Sequence, residues 1–152
     1  MNKIRKRPSI FFIFVPLILS IFVYWATKED IGYLETLQRN LVVPPIVFPI
    51  VWTILYILMG VWNYFYEQDH QDDVTTSIYW VSVLVNMLFS FLLFTFHQIL
   101  LALIDVLLLF FMILYLFIKS IKEKKKYAYL LVPYLLWLII AFTLMVDLWI
   151  HN

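Results

Sequence analysis

The sequence predicts an all-α integral membrane protein that folds as a bundle of five transmembrane helices. Of its 152 residues, 64% are hydrophobic and only 14% are charged, and the mean hydropathy is +0.92. This exceeds what the core and surface of a soluble domain accommodate. The apolar residues form long runs separated by polar breaks, and nine of the eleven lysines and arginines lie in the first seven residues and in the break at 119–126. We therefore expect one membrane domain over residues 1–152.

The apolar runs have the length of membrane-spanning helices. They predict spans at roughly 10–26, 46–66, 77–96, 99–118 and 128–150. The first run follows a basic start, as in a signal peptide, but it is a full span long and ends in bulky Tyr24 and Trp25. A cleavage site requires small residues there, so we interpret the run as a retained helix.

The third and fourth spans are separated only by His97 and Gln98. Residues 77–118 are 42 nearly uninterrupted apolar positions, about 63 Å as a helix, whereas the hydrocarbon core is about 30 Å thick. The chain must therefore reverse direction at these two residues. We interpret His97 as a loop residue and not as a ligand to iron.

The charges predict the orientation. If the N-terminus is cytoplasmic, nine of the eleven Lys and Arg residues lie inside, in the first residues (Lys3, Arg5, Lys6, Arg7) and in a lysine loop (Lys119, Lys122, Lys124, Lys125, Lys126). The other two, Lys28 and Arg39, lie in the loop 27–45, which is then outside. The positive-inside rule thus favours five spans with the C-terminus outside.

Several kinds of chemistry are excluded or have no support. The chain has no cysteine, no glycine-rich nucleotide loop, and no metal-spaced histidines or Ser/His/Asp set. The acidic cluster Glu67, Asp69, His70, Asp72 and Asp73 lacks the spacing of a calcium loop, so we interpret it as a solvated connector. We predict no metal, no resident cofactor and no nucleic-acid partner.

One stretch carries an ordered aromatic face. In the segment 44–60, Pro44 and Pro45 precede a helix with Phe48, Trp52 and Tyr56 at steps of four, which places the three rings on one face. Lipid does not require such order. Packing against neighbouring helices and binding of a flat ligand both explain it.

Depth separates some interior residues from the membrane interface. At 1.5 Å per residue, Trp52 and Asp105 lie roughly 9 Å below the outer boundary, Asn86 roughly 15 Å and Trp137 roughly 20 Å. Four other tryptophans lie near span ends and are expected to be interfacial: Trp25, Trp62, Trp80 and Trp149.

The two polar side chains at depth, Asn86 and Asp105, should face the bundle interior and have partners there, because facing lipid is costly. Asn86 is either a packing hydrogen-bond partner or a ligand contact, and we expect a structural role for Asp105. In the fifth span, Tyr134, Trp137 and Ala141 share a face with Leu144. The small Ala141 leaves room for a ligand or for a neighbouring side chain.

These residues resemble the TspO/MBR family of tryptophan-rich sensory proteins and translocator protein, the peripheral benzodiazepine receptor. Its signature in the loop and second span matches Leu37, Gln38, Arg39, Pro44, Pro45, Phe48, Pro49, Trp52, Thr53, Leu55, Tyr56, Met59 and Gly60. Further matches are Asn86, Ser90, Phe94, Ala102, Leu103, Asp105, Pro133, Tyr134, Trp137, Ala141, Leu144, Trp149 and Asn152.

The resemblance implies a five-helix protein of the bacterial cytoplasmic membrane, often a homodimer, with a ligand pocket beneath the loop 27–45. Family members bind porphyrins such as protoporphyrin IX, haem and isoquinoline carboxamide drugs, and animal members bind cholesterol. Some bacterial members promote light-dependent porphyrin breakdown, with tryptophans implicated that match Trp52 and Trp137.

The sequence also departs from the family pattern. Arg39 and Asn40 replace a lysine-proline pair, Val42 and Phe89 replace tryptophans, and Met145 replaces an asparagine. We therefore expect a less polar and less rigid loop and pocket than in relatives. The sterol-type consensus near the end of the fifth span is absent.

We predict that the protein binds a tetrapyrrole, as ligand or substrate, in an aromatic pocket in the outer half of the bundle. Trp52 and Trp137 are the candidate catalytic residues for photo-oxidative degradation. The candidate ligand-binding residues are Tyr33, Gln38, Pro45, Phe48, Trp52, Tyr56, Asn86, Phe89, Ser90, Trp137, Ala141 and Leu144. The alternatives are a transporter of apolar compounds, which has weak support without an inverted repeat or broken helix, and an assembly protein whose aromatic residues only pack helices.

Overall fold

The structure is a computed structural model that describes residues 8–69 and 72–152. The basic residues Lys3, Arg5, Lys6 and Arg7, on which the predicted orientation partly rests, lie outside the described residues. So does His70 of the acidic cluster.

Five helices in the described chain are long and apolar enough to cross a membrane, which confirms the predicted all-α bundle. The α-helices are α1 (Val15–Thr27), α2 (Tyr33–Thr36), α3 (Val47–Asp69), α4 (Asp73–Ser90), α5 (Ile99–Lys122) and α6 (Val132–His151). A 3₁₀ turn, Ile10–Phe14, precedes α1, and another, Lys126–Leu131, precedes α6. The single-turn α2 lies in the loop between the first two spans.

Local chemistry accounts for where the helices begin. Pro49 lies in the first turn of α3 and Pro133 in that of α6, positions at which a missing backbone N–H breaks no helical hydrogen bond. Asp72 caps α4 by accepting from the Val74 N–H at 3.1 Å. The Thr75 hydroxyl also donates to Asp72, which holds the pKa of that carboxyl below its usual range.

The reversal between the third and fourth spans is a distorted turn. After Ser90 the helix widens into a π-helical turn, Phe91–Thr95, and α5 begins at Ile99. His97 lies in the intervening turn with a left-handed backbone, φ 56°. The histidine is therefore a loop residue, as the sequence predicts.

The order of helices around the bundle is α3, α1, α4, α5 and α6. The closest packing is between α5 and its two neighbours, α4 and α6. By contrast, the backbones of α3 and α6, which close the ring, hardly approach each other along their length. Large side chains fill the interval between α3 and α6, and the candidate site lies in this interval.

Glycine allows one close helix approach. A Cβ on Gly60 in α3 would lie 1.9 Å from the carbonyl oxygen of Ile13, in the turn before α1. Only a residue without a side chain permits the backbones to be this close. Gly60 therefore determines how the first span packs on α3.

The prediction of an interfacial position was wrong for Trp62. This residue is fully buried, stacks on Tyr66 and Tyr79, and donates its indole N–H to Ser120 at 3.1 Å. Its nearness to the end of a span suggested the interface, but the ring points inward. By contrast, Trp25 and Trp149 are 70% and 50% exposed, and Trp80 is half-buried. The interfacial position of these three tryptophans stays a prediction.

Candidate functional site

An aromatic cluster bridges α3 and α6 in the half of the bundle next to the loop 28–46. Trp52 stacks on Tyr56, with ring centroids 5.5 Å apart. The same indole meets Tyr134 and Trp137 edge to face, at 6.1 and 6.3 Å. Phe48 contacts Trp137 at 5.8 Å. These pairs lie in the favourable range of ring geometries, so the rings stabilise the α3–α6 interval that the backbones leave open.

Asn86 of α4 holds two rings of this cluster through its side-chain amide. Its Oδ1 accepts from the Tyr56 hydroxyl at 3.2 Å, and its Nδ2 donates to the Tyr134 hydroxyl. All three side chains are buried. The prediction that Asn86 faces the interior with a partner is confirmed. Because Tyr56 and Tyr134 both contact Trp52, the amide also orients that indole.

Trp137 carries a polar group without a partner. The side chain is only 7% exposed, and its Nε1–H donates to no acceptor anywhere in the described chain. A buried N–H in a membrane interior finds no water to replace a missing acceptor, so leaving it unpaired is costly. The indole N–H is therefore available to an acceptor that enters between α3 and α6.

The end of α6 holds the second half of the loop. The Asp147 carboxylate accepts from the backbone N–H groups of Asn40 and Leu41, at 2.8 and 2.9 Å. Asn152 brackets Gln38, accepting from its N–H at 3.0 Å and donating to its carbonyl at 2.8 Å. We refer to these four hydrogen bonds as the α6 clasp. They tie the second half of the loop to the end of α6. A loop that is less polar and less rigid than in relatives stays a prediction.

The first half of the loop is held by the turn between α4 and α5. Tyr33 stacks on the His97 ring with centroids 3.9 Å apart. The Thr95 hydroxyl donates to Asp30 at 2.7 Å. The loop is thus tied at both ends across the same side of the bundle as the aromatic cluster.

Two apolar grooves lie along α6. One, about 280 Å³, lies between α3 and α6 and has Leu55 and Trp137 in its wall. The other, about 290 Å³, lies between α6 and the loop and is bounded by Val42 and Leu144. Ile140 lines both, so the grooves are adjacent. Trp137 separates the first groove from the aromatic cluster, since its ring also contacts Trp52.

The predicted site residues fall into two groups. The structure brings five of them into one connected set: Phe48, Trp52, Tyr56, Asn86 and Trp137. Phe89 and Ala141 pack against the buried core, and Leu144 lines a groove. Tyr33 and Gln38 are engaged by His97 and by Asn152 respectively. Pro45 is exposed and Ser90 half-buried, and neither has a described contact with the cluster.

Comparison with known families gives a match over nearly the whole chain. The sequence profile of the TspO/MBR family covers residues 12–150. The chain belongs to the TspO/MBR family. No individual curated protein matches it. Membership and the five apolar helices together identify an integral membrane protein. The bacterial cytoplasmic membrane and the orientation of the termini stay predictions.

The list of candidate site residues left out three residues of the site in this TspO/MBR protein, although Tyr134 and Asn152 were among the family matches. Tyr134 completes the cluster, and Asp147 and Asn152 form the α6 clasp. A signal for Tyr134 was present, since it precedes Trp137 by three residues and shares its helix face. Nothing in the spacing pointed to a clasp, because its partners are more than a hundred residues apart.

Asp105 is the other polar side chain predicted at depth. It faces the interior, 5% exposed, as predicted, but its Oδ2 has no hydrogen-bond partner among the described residues. The structure therefore supplies no protein partner for this oxygen, and the predicted partner of Asp105 stays a prediction. Within residues 8–69 and 72–152, no three His, Cys, Asp or Glu side chains are grouped as metal ligands.

Proposed function

We propose that this TspO/MBR protein binds a flat, largely apolar tetrapyrrole between α3 and α6, beneath the loop 28–46. One observation carries the proposal. The aromatic cluster that joins these helices contains a buried indole N–H, on Trp137, that lacks an acceptor among the described residues. A macrocycle with carboxylate or carbonyl groups supplies both an aromatic face for the rings and an acceptor for this donor.

The size of the interval implies that rings move on binding. The groove beside Trp137 is about 280 Å³, which is below the roughly 300–1,000 Å³ of small-molecule sites. A tetrapyrrole therefore requires Trp52 and Trp137 to separate. Edge-to-face contacts at 6.3 Å allow this at modest cost, because each aromatic pair contributes only about 0.5–1.5 kcal/mol beyond its buried area.

The hydrogen bonds of Asn86 and Trp137 favour different roles for these two residues. Both polar atoms of the Asn86 amide are engaged with tyrosine hydroxyls, so we assign Asn86 to positioning Tyr56 and Tyr134. The Trp137 N–H has no acceptor in the part of the chain that the structure describes, so Trp137 is the better candidate for direct ligand contact. The α6 clasp would close the loop over a bound ligand.

The binding proposal is tested by titrating protoporphyrin IX into purified protein in the dark and following tryptophan fluorescence and porphyrin absorbance. We expect saturable binding that Trp137→Phe weakens roughly tenfold, the equivalent of one hydrogen bond at about 1.4 kcal/mol. The matched control is Trp149→Phe, on the same helix but 50% exposed, which should bind like wild type. Absence of saturable binding to the wild-type protein would refute the proposal.

Light-dependent degradation is a second candidate function, favoured by the contact between the Trp52 and Trp137 indoles. Neither side chain is a general acid or base, so the photochemistry would belong to the porphyrin and the indoles would act as electron donors. Illumination of the complex should bleach the porphyrin in wild type and less in Trp52→Phe and Trp137→Phe, compared at equal occupancy. Undiminished bleaching in both variants would remove the indoles from the reaction.

The remaining predictions from the resemblance have direct tests. An isoquinoline carboxamide should compete with protoporphyrin IX if both occupy the α3–α6 interval. Accumulation of porphyrin in sealed vesicles containing only this protein would instead support the transporter alternative. Homodimer formation stays a prediction, to be checked by the mass of the protein in a lipid nanodisc.

A further inference from the structure

The turn that follows α5, at the end of the bundle opposite the candidate site, has an unusual lysine. The helix ends in a pair of closing hydrogen bonds, from Lys124 N–H to Ile121 O at 2.9 Å and from Lys125 N–H to Ser120 O at 3.0 Å. Lys124 has φ 57°. Glycine is the usual residue at this position of the motif, because a side chain disfavours the left-handed backbone. The chain thus keeps a lysine where the local geometry favours glycine.

Two neighbouring lysines fasten this turn to the rest of the bundle. Lys119 lies 3.6 Å from Asp72 and 3.4 Å from Glu123. Lys125 lies 3.0 Å from Asp69. These ion pairs connect the end of α5 and the following turn to the ends of α3 and α4. The backbone of the turn is therefore held in place by these ion pairs.

Three further lysines of the same turn stay exposed. Lys122, Lys124 and Lys126 form no ion pair with any carboxylate in the described part of the chain. Of the other acidic residues at this end, Glu67 accepts from Asn63, and Asp73 begins α4. The three lysines thus lie between positions 122 and 126, and no carboxylate of the described chain neutralises them.

The level of these lysines relative to the membrane indicates their partner. Ile121 and Tyr129, which flank the turn, are 39% and 65% exposed. An exposed aliphatic residue and an exposed tyrosine beside lysines at the end of a spanning helix are typical of the boundary between acyl chains and headgroups. We propose that Lys122, Lys124 and Lys126 bind the phosphate of an anionic phospholipid headgroup. Charge complementarity supports this choice, since clustered lysines beside a spanning helix attract anionic lipid.

The test uses full-length, delipidated protein in detergent, offered equal amounts of phosphatidylglycerol and phosphatidylcholine, with bound lipid counted by native mass spectrometry. Wild type should retain phosphatidylglycerol preferentially. Replacing all three lysines by glutamine should lower this preference by at least about fivefold. The matched control is Lys28→Gln with Arg39→Gln, which removes exposed cations at the other end of the bundle and should leave the preference unchanged.

A second variant separates binding from folding. Lys124→Gly removes a positive charge and relieves the left-handed backbone, so it should lower phosphatidylglycerol retention while raising the melting temperature. A wild-type preference in the triple variant would overturn the proposal, and so would equal retention of the two lipids by wild type. Displacement of the lipid by an equal concentration of glycerol phosphate would show a site for free phosphate and also overturn it. The porphyrin titration is independent of these results.

Discussion

Asn86 and Trp137 belong to the same cluster, but their polar groups differ in whether they have hydrogen-bond partners. The Asn86 amide binds two tyrosine hydroxyls, whereas the Trp137 indole N–H binds nothing among the described residues. In the bilayer interior, where water is absent, a satisfied network is rigid and an unsatisfied donor attracts an acceptor. This contrast underlies the assignment of Asn86 to positioning and of Trp137 to ligand contact.

Removing the Asn86 amide should destabilise the protein through the tyrosines. Asn86→Leu leaves the Tyr56 and Tyr134 hydroxyls buried without partners, at about 1–3 kcal/mol for each. We expect a lower melting temperature in detergent and weaker porphyrin binding. Adding Tyr56→Phe and Tyr134→Phe removes the unpaired hydroxyls and should restore most of the stability. A triple variant as unstable as Asn86→Leu would contradict this account.

Gly60 shows how a single position determines the packing of a helix. Its Cα lies so close to Ile13 that a methyl group would overlap the carbonyl carbon, at 2.7 Å, as well as the oxygen. Backbone atoms cannot rotate away as a side chain does. The first span must therefore shift as a unit if any side chain is introduced.

Gly60→Ala should lower the free energy of unfolding by about 1–3 kcal/mol, the usual cost of overpacking. Gly32→Ala is the matched control, because a Cβ there has no atom within 4 Å and should change little. Thermal unfolding in detergent measures both. Equal melting temperatures for the two variants would show that the contact with Ile13 does not limit packing.

The α6 clasp fixes the loop 28–46 to the end of α6. Asp147→Ala removes the acceptor of two backbone N–H groups, and hydrogen bonds to a charged group contribute about 1.5–3 kcal/mol. Amide hydrogens of Asn40 and Leu41 should then exchange at least about tenfold faster. Thr143→Ala is the control, since its exposed hydroxyl donates to Ile139 of its own helix. Unchanged exchange in Asp147→Ala would mean that other contacts hold the loop.

The orientation of the whole bundle is testable because the chain has no cysteine of its own. The charge distribution predicts that the α5–α6 turn is cytoplasmic and the loop 27–45 external. In intact cells, Lys28→Cys should react with an impermeant maleimide, and Lys124→Cys should react only after permeabilisation. The reverse pattern would invert the predicted topology.

The five helices were predictable because each depends on near neighbours in the chain. A run of apolar residues crosses the bilayer whichever helices surround it, and proline in a first turn or aspartate at a cap acts within a few residues. The face carrying Phe48, Trp52 and Tyr56 followed from the helical repeat in the same way. The sequence also carried the family signature, and the profile match confirms it.

Contacts between distant segments required the fold. Periodicity left open whether the Trp52 face packs helices or binds a ligand, and in the structure it closes an interval that the backbones of α3 and α6 leave open. The clasp between Asp147 and the loop joins residues more than a hundred positions apart. The inward direction of Trp62 depends on which helices adjoin it. Such features arise from how helices are placed around one another, which local hydropathy and spacing do not specify.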